Sequence, residues 1–174
     1  MASFLASHSS AFNKNSAMLL KKMIMKRTLL LLSTVLIAFS SMAQIKDPVK
    51  WSFTTTKKSD KVYEVTFTAD VEKPWHLYSQ NTPKGGPVPT KFVYKTNPLI
   101  KTDGTVKESS NIKTIHEEVF GVDVKYFDGK AVFTQTVNLK SAAQTNIAGT
   151  IEYMVCNDKE CLPPKKVSFN LTLQ

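Results

Sequence analysis

The chain has 174 residues, 23 of them basic and 14 acidic, with a formal net charge of +9. Five of the basic residues lie in residues 1–43, and the remaining 18 leave residues 44–174 with a net charge of only +4. All 18 are lysines, spread singly or in pairs, and no arginine is present for bidentate phosphate or base contacts. Charge therefore excludes nucleic-acid binding as the main function.

Residues 1–43 are predicted to be an N-terminal extension and signal peptide. The segment contains no acidic residue, and a run of about eleven mostly apolar residues at 29–39 follows its basic cluster, whereas about twenty are needed to span a bilayer. Ser41 and Ala43 are small residues at the two positions that a signal peptidase reads, so we predict cleavage after Ala43 and export to the periplasm. An uncleaved N-terminal anchor is the alternative.

Residues 44–174 are predicted to form one all-β domain. Apolar residues alternate with polar ones, as in half-buried strands, over residues 49–53, 63–69, 92–94, 131–139, 147–153 and 167–173. Turn signals separate these segments, and the pair Asp128-Gly129 predicts a type I′ hairpin. Seven or more short strands at this spacing indicate a two-sheet β-sandwich.

The two cysteines, Cys156 and Cys161, lie in the stretch YMVCNDKECLPP at residues 153–164. Apolar residues alternate into the stretch, a polar segment turns it, and two prolines prevent immediate regular pairing, so a β-hairpin tip is predicted. A short loop between strands can bring both sulfurs within bonding distance. If Ile151 and Val155 face the core, Cys156 faces outward on the accessible side.

Such a disulfide can either crosslink the fold or react. Closing a ring of about six residues stabilises a protein by only about 2 kcal/mol. A domain of roughly 130 residues reaches ordinary stability without that contribution. Exposed disulfides that folding does not need exchange readily, but a single pair in an exported β-protein is also commonly static. Spacing alone leaves both interpretations open.

Three stretches resemble one family. CNDKECLPP, preceded by YMV, resembles the N-terminal periplasmic domain of the thiol:disulfide interchange protein DsbD. WHLYSQ at 75–80 resembles the aromatic strand beside that family's cysteines, and HEEVFG at 116–121 resembles its acidic-aromatic cap loop. The likeness spans about residues 46 to 174 and implies an immunoglobulin-like sandwich.

The resemblance implies an electron carrier, a component of a thiol:disulfide oxidoreductase system, and we expect it to be a monomer. A thioredoxin-like or DsbD-type membrane donor would reduce its disulfide, and periplasmic disulfide acceptor proteins would oxidise it again. Cys156 and Cys161 would be the redox pair, with Cys161 forming the mixed disulfide and Cys156 resolving it. The neighbouring charges are mixed, so they do not indicate which thiol is more acidic.

The same resemblance implies that residues 116–121 form a lid over the disulfide, with Glu118, Val119 and Phe120 at its centre. Aligned on Gly121, the position of the main capping ring carries Val119, which departs from the family. Either Phe120 takes that role or the disulfide is less guarded. In the alternative interpretation both are ordinary core or turn residues.

Trp75, His76 and Tyr78 would line the floor beside the cysteines, or else form an ordinary buried aromatic strand with one outward histidine. Two histidines, His76 and His116, together with Met154 and the cysteines, are ligand types that copper or zinc accepts. No Cys-x-x-Cys pair and no histidine four residues from another ligand supports such a site. We therefore predict no metal and no cofactor.

A second function class remains open: an exported β-sandwich for binding or envelope structure, with an inert disulfide. By the same resemblance, DsbD as a whole consists of three modules, and this sequence resembles only the first of them. If the domain is a carrier, we expect its electrons to come from a separate donor protein.

Overall fold

The computed structural model describes residues 18–27 and 46–174. Residues 18–27 form a helix with exposed side chains. Among the described residues, no helix has both the length and the apolar character needed to cross a membrane. The pattern of contacts between residues divides the chain into two units, Met1–Lys46 and Asp47–Gln174. The apolar run and the cleavage site after Ala43 lie outside the described residues, so the signal peptide and the 43/44 boundary stay predictions.

The second unit is built from β-strands that all pair antiparallel. They are β1 (Val49–Ser59), β2 (Val62–Val71), β3 (His76–Tyr78), β4 (Lys91–Tyr94), β5 (Ile100–Glu108), β6 (Lys113–Glu117), β7 (Val122–Phe127), β8 (Lys130–Leu139), β9 (Thr145–Tyr153), β10 (Val155–Cys156) and β11 (Lys165–Leu173). The predicted all-β, immunoglobulin-like class is confirmed.

Two sheets form the sandwich, with strand orders β1-β2-β8-β5 and β11-β9-β4. Their alternating apolar residues meet in one core, where Phe67 is central. Its ring centroid lies 5.0 Å from that of Phe92 and 4.9 Å from that of Phe169, both on the opposite sheet. Tilted and edge-on ring pairs at such distances add to the burial of apolar surface that holds the two sheets together.

The third sheet, called here the small sheet, has four short strands of two to six residues in the order β10-β3-β7-β6. Antiparallel partners share a face of a sheet, and successive residues alternate between faces. Val155, Leu77 and Phe127 are partners in this sheet, and all three are buried in the sandwich core. The opposite face of the small sheet therefore points away from that core, and this is the face that carries Cys156.

The turn at Asp128-Gly129 differs from the prediction. It joins β7 to β8, but β7 pairs with β3 and β6, whereas β8 pairs with β2 and β5. Only Gly129 has a positive φ, 95°, whereas a type I′ turn needs positive φ at both central residues. The predicted type I′ hairpin is wrong because this turn carries the chain from one sheet to another.

The β6–β7 hairpin places His116 directly opposite Asp123. The His116 Nδ1 atom lies 2.7 Å from Asp123 Oδ1, and this hydrogen bond raises the pKa of His116 above its ordinary value of 6.5. Because the folded-state pKa exceeds the unfolded one, the stabilisation is fully present below pH 6.5. It is lost as the pH rises through the folded-state pKa.

Gly149 on β9 lies between its two neighbouring strands, β4 and β11, where it is the partner of Tyr94 and Phe169. A Cβ atom there would overlap the carbonyl oxygen of Val93 and come within 2.7 Å of Phe169 Cζ. We predict that Gly149→Ala lowers the free energy of unfolding by about 2 kcal/mol, because overpacking of a dense core costs about 1–3 kcal/mol. Denaturant unfolding measures this, with the exposed Ser168→Ala on β11 as control. Equal stability of the two variants would contradict the packing described.

For the hairpin, we predict that Asp123→Asn lowers the His116 pKa back toward its ordinary value, since it removes the main cause of the shift. NMR titration of the imidazole C–H signals measures this pKa. Glu118→Gln is the matched control, because Glu118 acts on His116 only through the smallest, coulombic contribution. An unchanged His116 pKa in Asp123→Asn would rule out the pairing.

Candidate functional site

Cys156 and Cys161 form a disulfide across a tight turn, with their Cα atoms 4.0 Å apart. Asn157 organises the turn: its side-chain oxygen accepts hydrogen bonds of 2.9 Å from the backbone N–H groups of Lys159 and Glu160. Its own N–H donates to the carbonyl oxygen of Glu160, also at 2.9 Å. Asparagine favours such turns because its side chain mimics a backbone acceptor. The turn is thus held by hydrogen bonds as well as by the sulfur–sulfur bond.

The two sulfur-bearing residues differ in exposure. Cys156 is 1% exposed, whereas Cys161 is partly exposed. The predicted strand phase is correct, because Ile151, Tyr153 and Val155 are buried in the sandwich core. The expectation that Cys156 is accessible is wrong, because a second apolar cluster covers the outer face of the small sheet. Cys161 is therefore the more exposed residue of the pair.

This second cluster, called here the disulfide cluster, lies on the outer face of the small sheet. Tyr78, Val124 and Cys156 form its buried centre. Partly buried side chains surround them: Ile115, Val122, Tyr126, Met154 and Cys161. The Met154 Sδ atom also accepts a hydrogen bond of 3.4 Å from the Val88 N–H, which ties the 79–90 connection to the same region. The disulfide is one wall of a small apolar cluster.

The structure separates the three residues predicted to line the site. Tyr78 lies within the disulfide cluster, and His76 faces Cys156 across the β3–β10 pair. Trp75 is instead buried in the sandwich core. Trp75 precedes β3, and the face alternation of a strand puts it on the side opposite His76.

Hydrogen bonds hold both the side chain and the backbone of Tyr78. Its hydroxyl donates a hydrogen bond of 2.7 Å to Glu117 Oε1, at the end of β6, and its carbonyl oxygen accepts one of 2.5 Å from Thr90 Oγ1. Burial, followed by the hydrogen bond and charge of Glu117, raises the pKa of Tyr78 well above its usual range. A hydrogen bond to a charged group contributes about 1.5–3 kcal/mol. This bond anchors the β6–β7 hairpin beside the disulfide.

The predicted lid, residues 116–121, consists of the last two residues of β6 and the four-residue turn 118–121 of that hairpin. The backbone N–H groups of Phe120 and Gly121 donate to the Glu117 carbonyl oxygen at 3.0 and 2.7 Å, and Gly121 adopts the positive φ of 64° that closes the turn. Glu118 is exposed, Val119 is 82% exposed and Phe120 is partly buried. None of the three belongs to the disulfide cluster, so their capping role stays a prediction.

Several site residues were not predicted from the sequence. Glu117 anchors Tyr78, Tyr126 packs in the disulfide cluster, and Asn157 organises the cysteine turn. Two signals were available: the alternation of apolar residues at 122, 124 and 126, and an asparagine that opens a four-residue polar turn. Within 18–27 and 46–174, no group of three or more histidine, cysteine or acidic side chains is placed to hold a metal ion.

Comparison with known structures supports the architecture. The N-terminal periplasmic domain of ScsB from Proteus mirabilis matches with a TM-score of 0.55 and 18% identity over 72% of this chain. The chain spans only about half of that protein, 47% of its length. At this identity the likeness shows a shared fold.

Two structures from Neisseria meningitidis match at lower scores. One is the DsbD N-terminal domain in its reduced form, with a TM-score of 0.48 and 17% identity, covering 76% of this chain and 91% of that one. The other is the complex between the DsbD and PilB N-terminal domains, with a TM-score of 0.47 and 13% identity, covering 77% and 93%. No curated protein matches the sequence.

The sequence itself provides the family assignment. Residues 43–173 match the family model described as the thiol:disulfide interchange protein DsbD, N-terminal. The match covers most of the chain and includes every strand, the cysteine turn and the β6–β7 hairpin. The chain therefore belongs to the family of the N-terminal domain of the thiol:disulfide interchange protein DsbD.

Proposed function

We propose that residues 44–174 act in the periplasm as a thiol–disulfide exchange domain, which carries electrons through the Cys156–Cys161 pair. The observation that carries this proposal is the asymmetry of the disulfide: Cys161 is partly exposed and Cys156 is 1% exposed. An exchange site needs a sulfur that a partner's cysteine can approach in line. Family membership supports the same chemistry.

The proposed cycle has two halves. A donor dithiol reduces the Cys156–Cys161 disulfide and leaves as a disulfide. The Cys161 thiolate then attacks a sulfur of the acceptor's disulfide, and one acceptor sulfur leaves as a thiolate. Cys156 attacks Cys161 Sγ in this mixed disulfide, which releases the second acceptor sulfur and re-forms the ring. Two electrons and two protons pass to the acceptor, which leaves as a dithiol.

The geometry of the turn suits repeated opening. A ring this small contributes about 2 kcal/mol on the chain-entropy estimate, whereas the sandwich core is built without it. The Asn157 hydrogen bonds and the bond of 2.9 Å from the Leu162 N–H to the Val155 carbonyl oxygen do not involve sulfur. We infer that the turn keeps its shape after reduction, so both thiols stay close enough to close the ring again.

The proposed partners are thiol oxidoreductases: a thioredoxin-like or DsbD-type membrane donor, and periplasmic disulfide acceptor proteins. The complex between the DsbD and PilB N-terminal domains from Neisseria meningitidis gives an example of a family member with a partner domain. The periplasmic assignment follows the ScsB domain, which is described as periplasmic. We propose that the domain works as a monomer and needs no cofactor.

We propose that the 118–121 turn shields the disulfide only weakly. Val119, at the position of the main capping ring, points into solvent. The side chains that pack against Cys156 are instead Tyr78, Val124 and their neighbours in the disulfide cluster. In this chain the sheet face itself, rather than the turn, protects the buried sulfur, and Glu118 and Phe120 are left at the rim where a partner would dock.

We predict that Cys156→Ser traps a mixed disulfide with a thioredoxin-like domain through Cys161, because the resolving thiol is missing. Non-reducing electrophoresis and mass spectrometry of the crosslinked peptide identify the linked cysteine. Cys161→Ser is the matched control: its single thiol is buried, so it should give little adduct.

Two results of the trapping experiment would contradict this function. If Cys156→Ser gives no adduct with reactive thioredoxin-like partners, or if Cys161→Ser gives as much, the assigned roles fail. An inert disulfide in an exported binding or structural domain would then explain the pair.

A further inference from the structure

Three side chains that can carry a proton or stabilise a charge lie near one another at one end of the small sheet: Cys156, His76 and Asp128. Cys156 on β10 is the direct partner of His76 on β3. On the other side of β3, Leu77 pairs with Phe127, the last residue of β7, so Asp128 follows directly after that strand, in the turn to β8. The hydrogen bond from Lys113 is the main cause that lowers the pKa of Asp128, and His76 adds a small coulombic contribution, so the two side chains are close enough to interact. Side chains directly opposite each other in a sheet have Cβ atoms about 4.5–5.5 Å apart.

The surroundings of His76 are defined on each side. Its ring packs at a tilt against that of Tyr126 of β7, with ring centroids 4.3 Å apart. Asp128 also forms an ion pair of 2.7 Å with Lys113 of β6. The same face carries Tyr78, hydrogen-bonded to Glu117. His76 is partly exposed and so can exchange protons with water.

The buried Cys156 must lose its proton in order to attack, and His76 is placed to accept that proton. Resolution of a mixed disulfide needs the thiolate of Cys156, because the thiol is a poor nucleophile. Burial in an apolar cluster disfavours a thiolate, and Cys156 is 1% exposed. A base close to this thiol would remove its proton as the sulfur attacks. An imidazole is the side chain suited to that task near neutral pH.

We propose that His76 is the proton acceptor for Cys156 when the mixed disulfide is resolved, and that Asp128 is the positioning residue that favours the imidazolium formed. The inference rests on the proposed exchange function. In the step, the Cys156 S–H bond breaks, its proton moves to His76 and its sulfur bonds to Cys161 Sγ. The bond from Cys161 to the partner breaks, and the partner's sulfur leaves as a thiolate. His76 then returns its proton to water or to that thiolate.

The test separates attack from resolution. The fully reduced protein is mixed in a stopped-flow instrument with 5,5′-dithiobis(2-nitrobenzoate), and release of the coloured thiolate is followed between pH 5 and 9. The first phase reports attack by Cys161, and the second reports ring closure by Cys156. The variants are His76→Gln and Asp128→Asn, with Lys125→Gln on the opposite face of β7 as control. The melting temperature of each variant reports its folding.

We expect His76→Gln to slow the second phase about 100-fold at pH 7, since a positioned general base contributes about 10²–10⁴-fold. Its first phase should match that of the unsubstituted protein. Asp128→Asn should slow the second phase less and alter its pH profile, and Lys125→Gln should change neither phase.

Two results would overturn the proposal. One is a second phase in His76→Gln with the rate and pH profile of the unsubstituted protein. The other is equal slowing of both phases, which would mean a packing role. If His76→Gln slows the second phase but Asp128→Asn does not, the role of His76 stands and the role of Asp128 is rejected. These outcomes are independent of the trapping experiment, because the small disulfide reports on Cys156 even if no protein partner is ever trapped.

Discussion

The pairing of β10 with β3 is the constraint on which the site depends. It has only two partner pairs, but they set the faces of both strands. Val155 and Leu77 point into the sandwich core, so Cys156 and His76 must point the other way. A shift of one residue would send Cys156 into the aromatic core and Val155 to the outer face. The core thus fixes the orientation of the sulfur.

The disulfide cluster turns this orientation into asymmetry. Tyr78 and Val124 bury Cys156, while the Asn157 turn leaves Cys161 at the rim. An apolar environment makes a thiolate costly at the buried position, which agrees with the proposed roles of Cys161 as the attacking sulfur and Cys156 as the resolving one. The hydrogen bond from Tyr78 to Glu117 secures this arrangement by joining β3 to the β6–β7 hairpin.

The alternation of apolar and polar residues was enough to predict the long strands and the core. Around Phe67, Phe133 and Phe169, each in its own strand, the residues at every second position are almost all apolar. It was not enough for β5, whose residues are mostly polar and whose register shifts between Asp103 and Lys107. The burial of Cys156 could not be predicted either, since Tyr78 and Val124 come from distant parts of the chain. The pair Asp128-Gly129 correctly marked a turn, but sheet membership is a tertiary property that such a pair does not encode. The family resemblance predicted the role of the cysteine pair and the residues around it. The structure shows that one of those residues, Trp75, lies in the sandwich core instead of beside the disulfide.

The proposed carrier function requires that the Cys156–Cys161 disulfide, which is not needed to hold the sandwich together, opens and closes under physiological conditions. Equilibration of the protein with mixtures of reduced and oxidised glutathione measures its reduction potential directly. We predict a potential above about −300 mV, within the range of disulfides that exchange. A potential well below that value would mark a structural crosslink and contradict the carrier function.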